Sequence, residues 1–227
     1  MKTIQDIRVY KSESENADGH PLPHTINNKA LNIVIHRIVM KLRESQFTLG
    51  SFDHLYINFT VCLENGEIRP AKRSVDPYHP WYRFYDVGVS EDIVHTVEVS
   101  DRIDLMIQLV ERVLLTFANN DQTQESIKES VSMALTQKEQ MLMRYKEKKS
   151  SKNSAIVFLR YLDSGMYEPL VCVYDSDGKE LMRTVLHQTL DLMSIGEILL
   201  SSKRVTIKPK KNVLAHDLLP ITFDINQ

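Results

Sequence analysis

Strict alternation of apolar and polar residues over residues 54–63 constrains the fold of this 227-residue chain more than any other sequence feature. Successive side chains of a β-strand point to opposite faces, so the pattern predicts a strand with one buried face. The following residues contain Asn65-Gly66, a pair typical of a two-residue hairpin turn, and Pro70 then ends the return strand early. The apolar face of the strand consists of Leu55, Ile57, Phe59, Val61 and Leu63.

Helical and extended patterns on either side of this hairpin complete the first half of the chain. Alternating apolar residues predict strands over residues 4–10 and 81–89, and apolar residues at helical spacing predict a helix that begins near residue 27. A central helix is predicted over residues 101–118, and a further helix from residue 121 to residue 148. We therefore expect a small antiparallel sheet and three principal helices in this half.

The second half carries short strand patterns separated by turn residues. Strands are predicted over residues 155–162, 168–174 and 180–186, followed by a short helix around residues 192–200 and closing strands over residues 204–208 and 221–225. The sequence thus predicts an α+β protein with small antiparallel sheets in each half, packed on three principal helices. We expect an N-terminal lobe over residues 1–149 that ends in the long helix and a C-terminal β-meander lobe over residues 150–227, with a single domain of residues 1–227 as the alternative.

The composition is that of an ordinary globular protein. Hydrophobic residues make up 42% of the chain, charged residues 26%, and the net charge is −2, so no overall field attracts the chain to nucleic acid or to an anionic membrane. The longest apolar run, residues 105–117, contains charged residues and is too short to span a bilayer, and the charged start does not resemble a signal peptide. We therefore expect a cytoplasmic protein without a membrane partner. The isolated Cys62 and Cys172 are expected to be reduced thiols.

Sequence signatures of enzymes are sparse. The chain has only seven glycines and contains neither a Gly-rich phosphate loop nor the nucleophile elbow of hydrolases. Histidines are the one source of catalytic chemistry, because metal sites use them together with carboxylates. His20, His24, His54 and His79 therefore define an alternative function, a metal-assisted hydrolase. The favoured interpretation has no catalytic residue, no cofactor and no metal.

Two basic clusters raise the question of nucleic-acid binding. Neither cluster interleaves aromatic residues that would stack on bases, and lysines on an edge strand also prevent unwanted strand pairing. A nucleic-acid partner is therefore disfavoured. An RNA-associated protein stays a third interpretation, and it predicts binding that weakens steeply with salt. The clusters are Arg144, Lys146, Lys148, Lys149 and Lys152, and Lys203, Arg204, Lys208, Lys210 and Lys211.

Residues 76–90 concentrate aromatic side chains, among them Trp81, the single tryptophan of the chain. Aromatic side chains bury large areas and anchor interfaces, and Pro77 and Pro80 restrict the backbone that presents them. Two interpretations stay open: the rings pack in the core against the strand of residues 54–63, or a loop restricted by the prolines presents them to a partner, with Trp81 as the anchor. The expected contact residues are Tyr78, His79, Trp81, Tyr82, Arg83 and Tyr85.

Three runs within residues 1–120 resemble a family of predicted immunity proteins. They are residues 18–25, Asp-Gly-His-Pro-Leu-Pro-His-Thr; residues 52–60, Phe-Asp-His-Leu-Tyr-Ile-Asn-Phe-Thr; and residues 78–89, Tyr-His-Pro-Trp-Tyr-Arg-Phe-Tyr-Asp-Val-Gly-Val. Bacteria with polymorphic toxin systems make such cytoplasmic proteins to neutralise their own or a sibling's toxin. The resemblance implies a non-enzymatic inhibitor whose partner is a cognate toxin protein domain, and it transfers no catalytic residue.

The charge of the chain bears on the kind of toxin. Immunity proteins that mask nuclease active sites are strongly acidic, whereas this chain is nearly neutral, so the resemblance leaves the chemistry of the toxin open. The sequence is also compatible with a homo-oligomer.

Overall fold

A computed structural model describes residues 2–14, 23–99 and 101–225. The chain divides into two compact units, Met1–Lys138 and Glu139–Gln227. The described residues form four α-helices and twelve β-strands in three sheets, and this confirms the predicted α+β class. None of the helices in these residues is long and apolar enough to cross a membrane.

The first unit contains a five-stranded mixed sheet. Its three central strands are parallel to one another, so that Ile57 lies between Val9 and Tyr85 in the register, and the two short edge strands are antiparallel to their neighbours. The order across the sheet is β2-β1-β3-β5-β4. The strands are β1 (Asp6–Ser12), β2 (His24–Thr25), β3 (His54–Thr60), β4 (Ile68–Pro70) and β5 (Tyr82–Gly88).

The antiparallel sheet predicted for the first half is therefore wrong. Helix α1 (Lys29–Glu44) connects β1 to β3, and a crossover helix of this kind returns the chain to a parallel neighbour. The turn at Asn65-Gly66 forms, with the Glu67 backbone N–H donating to the Glu64 carbonyl oxygen at 2.9 Å. However, β5 lies between β3 and β4, so the two strands of the expected hairpin are not paired.

Three principal helices pack against one another in the first unit, as predicted, and a short helix precedes the second of them. Asn28 caps α1, because its side-chain oxygen accepts from the Leu31 backbone N–H at 3.0 Å. Asn120 caps the last helix in the same way through the backbone N–H of Thr123, at 2.8 Å. After α1 the helices are α2 (Glu91–Thr96), α3 (Ile103–Leu115) and α4 (Asp121–Thr136).

The long helix predicted to residue 148 is wrong in its C-terminal bound, although it is the last α-helix of the first unit. Helix α4 ends at Thr136, and Lys138 takes a positive φ of 50°, which an α-helix cannot continue through. Strand β6 (Met143–Lys149) follows and belongs to the second unit. Met141, Leu142 and Tyr145 fit a helical stripe, but Met141 and Met143 are buried with half-buried Leu142 between them, which is the alternation of a strand.

The second unit contains two antiparallel sheets. The predicted meander is confirmed, and β6 adds a fourth strand at its edge, in the order β6-β7-β8-β9. The short helix expected around residues 192–200 is wrong, because part of this segment pairs as a strand with residues 204–208, with Ile198 opposite Ile207. The remaining strands are β7 (Asn153–Tyr161), β8 (Tyr167–Asp175), β9 (Glu180–Val185), β10 (Glu197–Leu200), β11 (Arg204–Lys208) and β12 (Ile221–Asp224).

The sheet of the first unit has two chemically different faces. The helix face is mainly apolar, and Phe117, two residues after α3, contacts Tyr85 on this side at a ring separation of 5.1 Å. The aromatic face carries the alternate residues of the same strands. The helix face includes Ile7, Val9, Leu55, Ile57, Phe59, Arg83, Tyr85 and Val87, and the aromatic face includes Tyr10, Ser12, Tyr56, Asn58, Tyr82, Phe84 and Asp86.

Strand β3 is buried on both faces, which corrects the expectation of one solvated face. Tyr56, Asn58 and Thr60 point away from the helices, yet each is buried. The strand lies at the centre of the sheet with a parallel neighbour on each side, and strands in that position are covered on both faces.

Candidate functional site

Four rings form a cluster on the aromatic face. Tyr56 and Phe84 face each other on adjacent strands at 5.2 Å, and Tyr10 on β1 lies 5.6 Å from Tyr56 and 5.3 Å from Phe84. Tyr82 stacks on Tyr56 with centroids 4.7 Å apart and planes 16° from parallel. Such ring pairs contribute about 0.5–1.5 kcal/mol each beyond their burial, so the cluster is a rigid surface.

Buried polar groups continue this face toward the other end of the strands. The Ser12 hydroxyl donates to Asn58 Oδ1 at 3.2 Å, and Asn58 Nδ2 donates to Asp86 Oδ1 at 3.1 Å. All three side chains are at most 1% exposed. Because buried polar groups must be hydrogen-bonded, this chain fixes the register of β1, β3 and β5 and with it the positions of the rings.

Asp76 organises the loop of residues 76–81, which leads into β5. Its Oδ1 accepts from the Tyr78 backbone N–H at 2.8 Å, and its Oδ2 lies 2.7 Å from His79 Nδ1. The hydrogen bond from His79, followed by that from Tyr78, lowers the pKa of the Asp76 carboxyl. The Trp81 carbonyl oxygen accepts from the backbone N–H groups of Asp53 and His54, both at 3.0 Å. The loop is therefore held at both ends.

The loop extends the ring cluster to the protein surface. The Tyr78 side chain is 85% exposed and that of Trp81 is 37% exposed. His79 meets Trp81 edge-on at 4.9 Å and lies 6.4 Å from Tyr82, which joins the loop to the cluster. We call this continuous set of rings the aromatic ridge; it consists of Tyr10, Tyr56, His79, Trp81, Tyr82 and Phe84.

The six contact residues expected from the sequence lie on two sides of the sheet. Tyr78, His79, Trp81 and Tyr82 lie on the loop and the ridge, whereas Arg83 and Tyr85 alternate to the helix face of β5. Burial raises the pKa of the half-buried Tyr85, which packs on Phe117.

Arg83 occupies the same side as Tyr85. The Cζ atom of Arg83 lies 5.6 Å from the centroid of the Phe52 ring. Sequence reasoning missed the ridge residues Tyr10, Tyr56 and Phe84. These three residues could have been found in the sequence, because they are aromatic residues at strand positions that the alternating pattern assigns to the polar face.

The histidines of the hydrolase alternative are engaged separately or lie apart in the chain. His54 Nδ1 lies 2.7 Å from Asp53 Oδ1, His79 pairs with Asp76, and His24 is exposed on β2. His20 lies outside the described residues. Within residues 2–14, 23–99 and 101–225, no three His, Cys, Asp or Glu side chains are grouped so as to hold a metal ion.

A cleft of about 240 Å³ lies beside the ridge at the edge of the sheet. Phe52, Arg83 and Tyr85 line the cleft together with Pro70, the last residue of β4, and with Ala71, Arg73, Ser74 and Val75 in the segment that follows. Arg73 extends from this segment and places its Cζ 4.9 Å from the centroid of the Phe84 ring. Burial lowers the pKa of Arg73, and the negative charge of Asp86 acts in the opposite direction.

The basic clusters predicted from the sequence both fall in the second unit. Lys146 lies on the edge strand β6 and donates to the Gly196 carbonyl oxygen, and burial, followed by the charge of Lys210, lowers its pKa. The same unit exposes apolar side chains at residues 213–219, where Leu219 is 82% exposed.

Fold and site together define a class, an α+β protein whose first unit displays a preorganised aromatic surface on one side of a mixed sheet. Comparison of the chain with protein-family models, with curated proteins and with solved structures finds no significant match.

Proposed function

We propose that this protein is a non-enzymatic binding protein that neutralises a cognate bacterial toxin by contacting the toxin domain through the aromatic ridge and Tyr78. The observation that carries the proposal is the exposure of Tyr78 and Trp81 at the end of a rigid series of rings. Interface hot spots are enriched in tryptophan, tyrosine and arginine. The ridge supplies tryptophan and tyrosine on one continuous surface.

The loop is ordered before any partner arrives. Asp76 holds the backbone at Tyr78 and the ring of His79, and Trp81 is anchored through its carbonyl oxygen to the start of β3. Binding therefore requires little further ordering of this surface, and less of the interaction energy is lost to conformational entropy. Tyrosine and tryptophan also have few rotatable bonds to immobilise.

The class of partner follows from the resemblance to immunity proteins. Two of the three resembling runs coincide with the candidate site, because residues 52–60 contain β3 and residues 78–89 contain most of the loop and β5. Most of the third run, residues 18–25, lies outside the described residues. The overlap of these runs with the candidate site supports inhibition by direct binding of the toxin domain.

Co-expression with the toxin domain encoded beside this protein tests the proposal. We expect growth rescue of cells that produce the toxin, and recovery of a stable complex of the two proteins by size-exclusion chromatography. An equal level of a catalytically inactive toxin variant provides the growth control. Folded protein that neither rescues growth nor co-elutes with the toxin domain would contradict the proposed function.

A further inference from the structure

The cleft beside the ridge is cationic. The side chains that line it within residues 51–85 include Arg73, Arg83 and the hydroxyl groups of Ser51 and Ser74, and none of them is an Asp or Glu. The negative charge of Asp86 acts on Arg73 and opposes the lowering of its pKa by burial. Arg83 is the guanidinium of the cleft for which the described residues provide no carboxylate within 4 Å.

The Arg83 guanidinium is held so that one edge stays available. Its Nη1 donates to the carbonyl oxygens of Pro80 at 3.0 Å and Tyr82 at 2.6 Å, and its plane lies near the Phe52 ring. The Nε and Nη2 atoms make no hydrogen bond to any residue that the structure describes. These two N–H groups point in the same direction and match the two oxygens of a carboxylate.

We infer that Arg83 receives an aspartate or glutamate side chain of the partner protein, with both carboxylate oxygens on its Nε–Nη2 edge. The inference rests on the proposed function and names a second anchor beside Trp81. Ser51 and Ser74 add hydroxyl donors at the same cleft, and the Phe52 and Tyr85 rings reduce the local dielectric, which strengthens an ion pair.

The position of Arg83 links the carboxylate site to the aromatic anchor. Its Nη1 bond to the Pro80 carbonyl oxygen holds the residue directly before Trp81. This bond fixes Arg83 relative to the loop, so a partner that extends from Trp81 around the end of β5 to the cleft would reach both residues. An acidic residue next to an apolar pocket is the complementary pattern that this surface selects.

Two variants test the inference with the purified toxin domain as the probe. Arg83→Gln removes the charge and the bidentate edge, and Ser74→Glu places a competing carboxylate in the cleft while leaving Arg83 and its carbonyl contacts in place. We expect each variant to weaken binding by at least about tenfold, and added salt to reduce the affinity of the wild type more than that of Arg83→Gln. Ser151→Glu, at an exposed serine outside the cleft, is the matched control and should bind within about twofold of the wild type.

The outcomes separate this inference from the proposed function. Failure of the wild type to bind the toxin domain overturns both. Wild-type binding that both variants retain overturns the carboxylate site and leaves the proposed function standing. If Arg83→Gln weakens binding of the toxin domain but Ser74→Glu does not, the carboxylate site is also overturned, because Arg83 would then act only by holding the loop. If Arg83→Gln loses its near-ultraviolet circular dichroism spectrum, Ser74→Glu alone decides.

Discussion

The two faces of the first sheet are built from alternate residues of the same three strands, yet they have different roles. On the helix face, Ile57 and Phe59 are fully buried by contacts with other apolar side chains. On the aromatic face, Tyr56 contacts neighbouring rings and lies near a chain of hydrogen-bonded polar groups. The helix face therefore supplies hydrophobic stability, whereas the aromatic face fixes the register and presents rings at the surface.

Parallel strands at the centre of a sheet normally carry aliphatic residues on both faces. Tyrosines and hydrogen-bonded polar residues replace them on the aromatic face of this sheet. A face of that composition contributes less hydrophobic stabilisation per residue, but it holds hydrogen-bonding groups and rings at defined positions. The comparison predicts that the helix face should contribute most to the free energy of unfolding, that the buried polar groups of the aromatic face should contribute less, and that the exposed rings should determine binding.

The largest effect is expected from Phe59→Ala on the helix face. Phe59 is fully buried, and removal of its ring leaves a cavity that should lower the free energy of unfolding by about 4 kcal/mol. Urea unfolding followed by the fluorescence of Trp81, which lies in the first unit, measures this change. A loss below about 1 kcal/mol would show that this face does not form the core.

A smaller effect, dependent on pH, is expected from His36 on helix α1. Burial lowers the pKa of His36 to about 4. The ordinary pKa of a histidine is about 6.5, so the unfolded chain binds a proton at a higher pH than the folded protein does. The stability that is present above pH 6.5 is therefore lost as the pH drops toward 4.

Because the ring is partly exposed, we expect a loss of about 2 kcal/mol, less than the full pKa shift would imply. Unfolding of the wild type and of His36→Gln at pH 7 and pH 4 isolates this contribution as the difference between the two proteins. An equal decrease in both would rule out a buried neutral imidazole at this position.

The buried polar chain of the aromatic face should contribute less. Asn58→Ala removes both hydrogen bonds that Asn58 makes and leaves the Ser12 hydroxyl and Asp86 Oδ1 without this partner. We expect a loss of about 1.5 kcal/mol in the free energy of unfolding. Chemical shifts of the amide groups of β1 and β5 should change together if the chain sets the register, and a change confined to β3 would contradict that role.

Period-two and helical patterns allowed the sequence to predict the positions of β3, β5, β7, β8, β9 and the three principal helices. The order of strands could not be predicted, because the pairing of β5 with β3 depends on contacts between segments distant in the chain. The end of α4 was misplaced because Met141, Leu142 and Tyr145 have helical spacing, while Met141, Met143 and Tyr145 also have the spacing of a strand.

Only the part of the candidate site whose residues are neighbours in the sequence could be predicted. Tyr78, His79, Trp81 and Tyr82 form one segment of the chain and could be selected together. Tyr10 is brought to the ridge only by the parallel pairing of β1 with β3, which a local pattern does not encode. Arg83 and Tyr85 were correctly assigned to a strand, but the alternation that separates them from Tyr82 was not applied to the site.

The affinity of Trp81→Ala for the purified toxin domain tests the central claim most directly. Trp81 lies at the surface, so we expect its removal to change the free energy of unfolding by less than about 1 kcal/mol but to cost about 2 kcal/mol or more in binding, a factor of about thirty in Kd. Leu219→Ala, which truncates an exposed apolar residue of the second unit, should leave Kd unchanged. A folded Trp81→Ala variant that binds within about threefold of the wild type would contradict the assignment of the aromatic ridge as the binding surface.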